Sequence, residues 1–132
     1  MGGREPHNRV RTRSTMTNSL RRATTLMLLL TLALLAAGGP GFRLRRNLDE
    51  HFEKHGSEFG KITKAEYLRL GQELRDAPAG GPILEAKRAS DGVVTRFDRK
   101  RGYFGAYDRD RTIRTFFIPA AGESYFRRQA KR

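Results

Sequence analysis

The stretch VVTRFDRKRGYFGAYDRDRTIRTFFI, residues 93–118, decides the fold. It holds three short runs rich in β-branched and aromatic residues, Val93–Asp98, Tyr103–Tyr107 and Thr112–Ile118, and a fourth run, Ile83–Ala89, precedes it. Such residues fit a pleated, half-buried surface. Ser90-Asp91-Gly92 and Arg99-Lys100-Arg101-Gly102 close on glycine as hairpin turns do, and Asp108–Arg111 is a polar turn without one. Connections this short join antiparallel neighbours, so the four runs form an antiparallel meander. Pro119 stops the last strand. Alternation within Thr112–Ile118 puts Ile113, Thr115 and Phe117 on one face and Arg114 and Phe116 on the other. With phenylalanine on both faces, one face is expected to pack on helices and the other to line a partly apolar cleft.

Upstream, Thr63 with Glu66 three residues on is a capping box, and Ile62, Tyr67, Leu70 and Leu74 follow at helical spacing. Pro78-Ala79-Gly80-Gly81-Pro82 ends that helix as a loop. A shorter helix is expected from about Leu48 to Lys54, with Asn47 as N-cap, Asp49 and Glu50 in its first turn and Gly56 as the glycine just past its end. Glu123–Arg132 has the length of a short terminal helix. The expected class is α+β: two N-terminal helices followed by a four-stranded antiparallel sheet, after an N-terminal signal peptide.

The signal reading rests on residues 1–38. Six arginines face one acid, Glu5, over residues 1–22; Ala23–Ala37 is uncharged and leucine-rich; Gly38-Gly39-Pro40-Gly41 follows. A basic region, a short apolar core and a small-residue exit is a secretory pattern. The rival is an uncleaved anchor, but fifteen residues as a helix reach only about 22 Å, short of a ~30 Å hydrocarbon core. A cleaved signal, a linker over residues 39–46 and a domain over 47–132 are expected, secreted or periplasmic at the cell surface, without stable membrane association after cleavage.

Residues 39–132 hold 21 Lys+Arg against 13 Asp+Glu, a net of +8. A basic domain favours polyanionic partners, nucleic acid or an anionic membrane surface; the bland alternative is solubility. The chain has no cysteine, which excludes disulfides, thiol chemistry and cysteine metal sites.

Two of three histidines stand four residues apart in His51-Phe52-Glu53-Lys54-His55. On a helix this puts both rings on one face, about 5–6 Å apart at Cβ. Histidine gives and takes protons near neutral pH, and Lys54 adds a fixed charge. Zinc is disfavoured: the metalloprotease pattern has its glutamate directly after the first histidine, Glu53 is two after, and no third ligand stands out. The other two readings are structural histidines and an acid/base pair for cleaving a phosphodiester. Downstream, Thr115, Arg114, Arg96, Lys87 and Tyr125 supply hydroxyls and cations, each singly more ordinary than functional. The aromatics of Gly102-Tyr103-Phe104-Gly105 read as core before they read as a base-stacking platform.

In order, His-Phe-x-Lys-His-Gly-x-Glu-Phe-Gly at 51–60, Thr63 to Leu68, Asp91-Gly92, Gly102-x-Phe-Gly, Arg114-Thr115-Phe116-Phe117-x-Pro119 and Tyr125-Phe126 resemble the small ribonucleases grouped as the BECR fold (barnase, EndoU, colicin-type tRNases, RelE). More narrowly, the chain is similar to toxin domains of bacterial polymorphic and contact-dependent toxins and phage-related proteins. The resemblance covers about residues 48–128. It implies metal-independent, cofactor-free cleavage of RNA, with tRNA a candidate, by attack of the 2′-OH to leave a 2′,3′-cyclic phosphate. It implies His51 and His55 as acid and base, Thr115 at the scissile phosphate, and Lys54, Arg96, Arg114 and Tyr125 as substrate contacts. Arg114 and Thr115 alternate on the strand, so Thr115 is favoured. A monomer is expected, with RNA and an inhibitor or immunity protein as partners. The alternative is a non-catalytic RNA-binding or membrane-anchored interaction protein on the same scaffold.

Overall fold

The computed structural model describes Gly2, Gly3 and residues 38–132. The expected signal segment, Gly2, Gly3 and Gly38 apart, lies outside the described residues. The elements are α1 (Arg45–His55), a 3-10 turn (Gly56–Phe59), α2 (Lys64–Asp76), β1 (Ile83–Lys87), β2 (Val94–Asp98), β3 (Tyr103–Tyr107), β4 (Ile113–Phe117) and α3 (Glu123–Ala130). The α+β class and the antiparallel meander β1-β2-β3-β4 stand as expected. Helices lie both before and after the sheet: the outline of two N-terminal helices and a sheet is completed by the short terminal helix expected within Glu123–Arg132, which is α3. Among the described residues no helix is long and apolar enough to cross a membrane.

α2 begins where its sequence dictates. Thr63 Oγ1 accepts the Glu66 N–H at 3.1 Å, and the Glu66 carboxylate accepts the Thr63 N–H at 2.6 Å. These bonds hold the Glu66 carboxyl below its usual range. Tyr67, Gly71 and Leu74 turn inward onto the sheet, and extended Ala77 ends the helix before Pro78.

α1 departs from expectation at both ends. It starts at Arg45, and Leu44 occupies the cap position without a side-chain bond. The Asn47 N–H already bonds Leu44 O at 3.0 Å inside the first turn, so Asn47 caps nothing. Tertiary contact sets the start instead. The Ile113 N–H donates to Gly41 O at 2.8 Å, and Phe42 bridges Ile113 in parallel while stacking on Tyr67 at 6.3 Å. Part of the stretch expected as a linker is thus built into the edge of the sheet. At the other end Gly56 is right-handed (φ −55°, ψ −40°), and the chain runs on into the 3-10 turn; the left-handed glycine is Gly60, at φ +83°. Gly56 is needed for space: a Cβ there would stand 2.7 Å from the Phe52 ring.

Two clusters sandwich the sheet. On the α1/α2 side lie Tyr67, Leu74, Tyr107, Ile113 and Phe116; on the α3 side lie Val93, Phe97, Phe104, Ala106 and Phe126. The second face is therefore not the open cleft expected, since α3 packs across β2 through Phe126. At its β4 end Thr115, Phe117 and Tyr125 stay half-buried, as Leu84 and Ala86 do at its β1 end.

The strict alternation expected for β4 is also corrected. Ala106 pairs Thr115 and Tyr107 pairs Ile113, which leaves Arg114 as the unpaired residue of a bulge. The bulge turns Ile113 to the same side as Phe116. Thr115 keeps the side of Phe117, because their partners Ala106 and Phe104 both belong to the α3-side cluster. In the glycine-free turn before β4, Arg111 takes the left-handed position at φ +69°.

Candidate active site

α1 lies along the β4 edge because Leu48 and Phe52 bury against the α2-side cluster. His51 and His55 fall beside that apolar stripe at helical spacing. The result is a column of rings. His51 stacks on Phe42 at 4.9 Å, His51 and His55 are 6.1 Å apart, and His55 stacks on Phe117 at 5.0 Å. Phe42 is tied to Ile113, at the start of β4, and Phe117 is its last residue. Thr115 lies between those two anchor points on the strand.

The two histidines differ electrostatically. The Nδ1 of His51 is buried without a hydrogen-bond partner, the one such side-chain atom among the described residues. Burial lowers the His51 pKa below 6.5, and the charges of His55 and Lys54 lower it further. A ring kept neutral in this way is available to accept a proton at neutral pH. His51 also lines an open depression with Glu50 and Lys54. His55 is mostly buried, with 14% of its side chain exposed, and its Nδ1 lies 2.8 Å from Glu58 Oε1. The other carboxylate oxygen, Oε2, accepts the Ile118 N–H at 2.8 Å, which fastens the 3-10 turn to the end of β4.

The other residues expected at the site divide. Tyr125 meets Phe117 edge-on at 5.3 Å and Phe104 at 4.9 Å, so it joins the site through the same ring that His55 stacks on. The Arg128 guanidinium lies 5.9 Å from the Tyr125 ring centre. Lys54 is exposed beside His51 and has no carboxylate within ion-pair reach among the described residues. Thr115 is half-buried on the α3 side of the sheet.

Arg96 and Arg114 are not brought to the histidines. Arg96 donates to the carbonyls of Leu74 and Ala77 and pairs with Glu85, so it closes the C-terminal end of α2. Arg114, turned out by the bulge, binds Asp108 at 2.7 Å and reaches Asp91 at 3.6 Å. Both guanidiniums are paired with carboxylates within the fold, Arg96 largely buried and Arg114 half exposed.

Three residues escaped the sequence reading. Glu58 is i,i+3 from His55, a spacing that would have flagged it. Phe42 and Phe117 had no such signal, since their roles depend on which ring each meets across the fold. Among the described residues no group of three or more His, Cys, Asp or Glu is placed to hold a metal ion. No family model matches the sequence, and no curated protein matches it either.

Proposed function

We propose that the domain is an endoribonuclease acting without a metal ion. The observation that carries this reading is the pair of stacked histidines on a basic domain, one with a buried, unpartnered Nδ1 and a lowered pKa, the other held by Glu58. Neutral His51 takes the proton from a ribose 2′-OH. The 2′-oxygen attacks the adjacent phosphorus, and the bond to the 5′-oxygen breaks. His55 gives a proton to that leaving oxygen, leaving a 2′,3′-cyclic phosphate. Thr115 contacts the phosphate, while Lys54 and Tyr125 hold the flanking chain. Export of the domain and a dedicated protein inhibitor belong to the same reading.

One observation favours a second reading, a binder of RNA that does not cut it. With Arg96 and Arg114 committed elsewhere, Lys54 is the one expected phosphate-binding cation left beside the histidines. The 132-residue chain, incubated with tRNA and with mixed single-stranded RNA in EDTA, separates the two. Cleavage is expected to give cyclic-phosphate ends, and His51→Ala and His55→Ala are each expected to abolish it. Tight, salt-dependent binding with every RNA left intact overturns catalysis and selects the binder. Activity lost on chelation and restored by a divalent metal overturns the metal-free mechanism.

A further inference from the structure

We infer that Glu58 is the positioning residue that makes Nε2 the atom of His55 through which the proton moves. The orientation follows from the contacts alone; its catalytic consequence rests on the ribonuclease reading above. An ionised carboxylate only accepts hydrogen bonds. With Glu58 Oε1 2.8 Å from His55 Nδ1, that nitrogen must carry hydrogen for the contact to be a bond. The neutral ring is then protonated at Nδ1 and bare at Nε2. In the protonated ring both nitrogens carry hydrogen, and the one at Nε2 is the one free to leave.

The carboxylate cannot drift from this role, because its second oxygen is held by the Ile118 N–H at 2.8 Å. It therefore bridges the last residue of α1 and the residue after β4. Phe117 stacking at 5.0 Å fixes the plane of the ring, and Glu58 fixes its flip about that plane. Two constraints on one imidazole are what a proton-transfer group needs and what a solvated surface histidine lacks. In the proposed reaction, the proton leaves Nε2 for the 5′-oxygen while the Nδ1–H stays on Glu58. The attacking 2′-hydroxyl proton goes to His51, so the proton count balances.

The test is Glu58→Gln in the 132-residue chain. Glutamine keeps an oxygen for the Ile118 N–H and presents an NH2 group to His55. It thereby reverses the preferred tautomer without emptying the site, and Ile118 amide exchange reports whether the end of β4 holds. Nitrogen-15 spectra of the neutral His55 ring should show a protonated Nδ1 and a bare Nε2 in the native chain, and the opposite in Glu58→Gln. A wild-type ring bare at Nδ1, or a tautomer that does not change in the variant, overturns the inference, whatever the chain does to RNA. In the cleavage assay kcat is expected to fall by about 10²–10⁴-fold, in the range of proton-transfer losses and wrong-tautomer substitutions, with KM little changed. Equal kcat in the two proteins overturns the catalytic role. A native chain that cuts no RNA removes the ribonuclease reading and leaves the tautomer result to decide Glu58 on its own.

Discussion

Replacing His51 by phenylalanine separates a functional histidine from a structural one. The ring stacks on Phe42 and faces His55, so another flat ring can hold both contacts. What disappears is the buried Nδ1 without a partner. An orphaned buried polar atom costs about 1–3 kcal/mol, and half-exposure of the residue favours the low end. His51→Phe is therefore expected to leave stability unchanged or raised by about 1 kcal/mol above neutral pH. The pH dependence adds a second signature. The folded-state pKa of His51 lies below 6.5, so between that value and 6.5 the unfolded chain binds more protons than the folded one. Stability from this group is fully present above 6.5 and lost as pH falls through the folded value. The slope cannot exceed about 1.4 kcal/mol per pH unit, and solvent screening reduces it. The variant lacks this loss, so its advantage should widen as the pH drops below 6.5. Urea unfolding of both proteins across roughly pH 8 to 5 measures it. A variant destabilised by more than about 2 kcal/mol, with a gap that does not change with pH, would refute the reasoning and make His51 a packing residue. Residual RNA cleavage in the variant would remove its role as base.

Three further outcomes follow from the same contacts. Arg96→Met should cost about 2 kcal/mol in urea unfolding, because the Leu74 and Ala77 carbonyls and Glu85 lose their donor, while the salt dependence of RNA binding stays as it was. Lys54→Ala should do the reverse: stability changes by less than about 0.5 kcal/mol, while the slope of log affinity against log salt falls by about one for RNA. Gly56→Ala should cost about 1–3 kcal/mol in thermal or urea unfolding, because a Cβ 2.7 Å from the Phe52 ring forces that ring, and the end of α1 with it, to move.

The parts of the fold that were legible in the sequence are those fixed by local chemistry. Thr63 and Glu66 bond each other three residues apart, so the start of α2 needs no distant partner. Tyr103–Tyr107 is bounded by turns and pairs as alternation requires. The missed features depend on residues far apart in the chain. The start of α1 answers to Ile113, some seventy positions away, and not to Asn47. The bulge at Arg114 gives Ile113 and Phe116 the same buried side, which a period of two cannot express. The site divides the same way. The His51/His55 spacing and the His55/Glu58 spacing are both local and legible in the sequence. That Phe117 receives His55 and Tyr125 together is decided by how α1 and α3 close on the sheet.

The pairing of Arg96 and Arg114 with carboxylates bears on how a basic domain is read. A guanidinium offers five donors in a planar fork and stays charged, which suits carboxylates and helix-end carbonyls inside a fold as well as it suits phosphate. In this domain Arg43, Arg88, Arg96, Arg101, Arg111 and Arg114 all end on aspartate or glutamate. A net charge of +8 therefore measures the long-range attraction a polyanion feels, while the contacts it can make depend on which cations are left over. Beside the histidines that cation is Lys54, a compact charge on a flexible stem that holds phosphate loosely. In the proposed reading, tight positioning of a substrate then falls to the stacked rings and to Thr115. Loss of the Tyr125 ring should accordingly weaken substrate binding more than loss of the Lys54 charge.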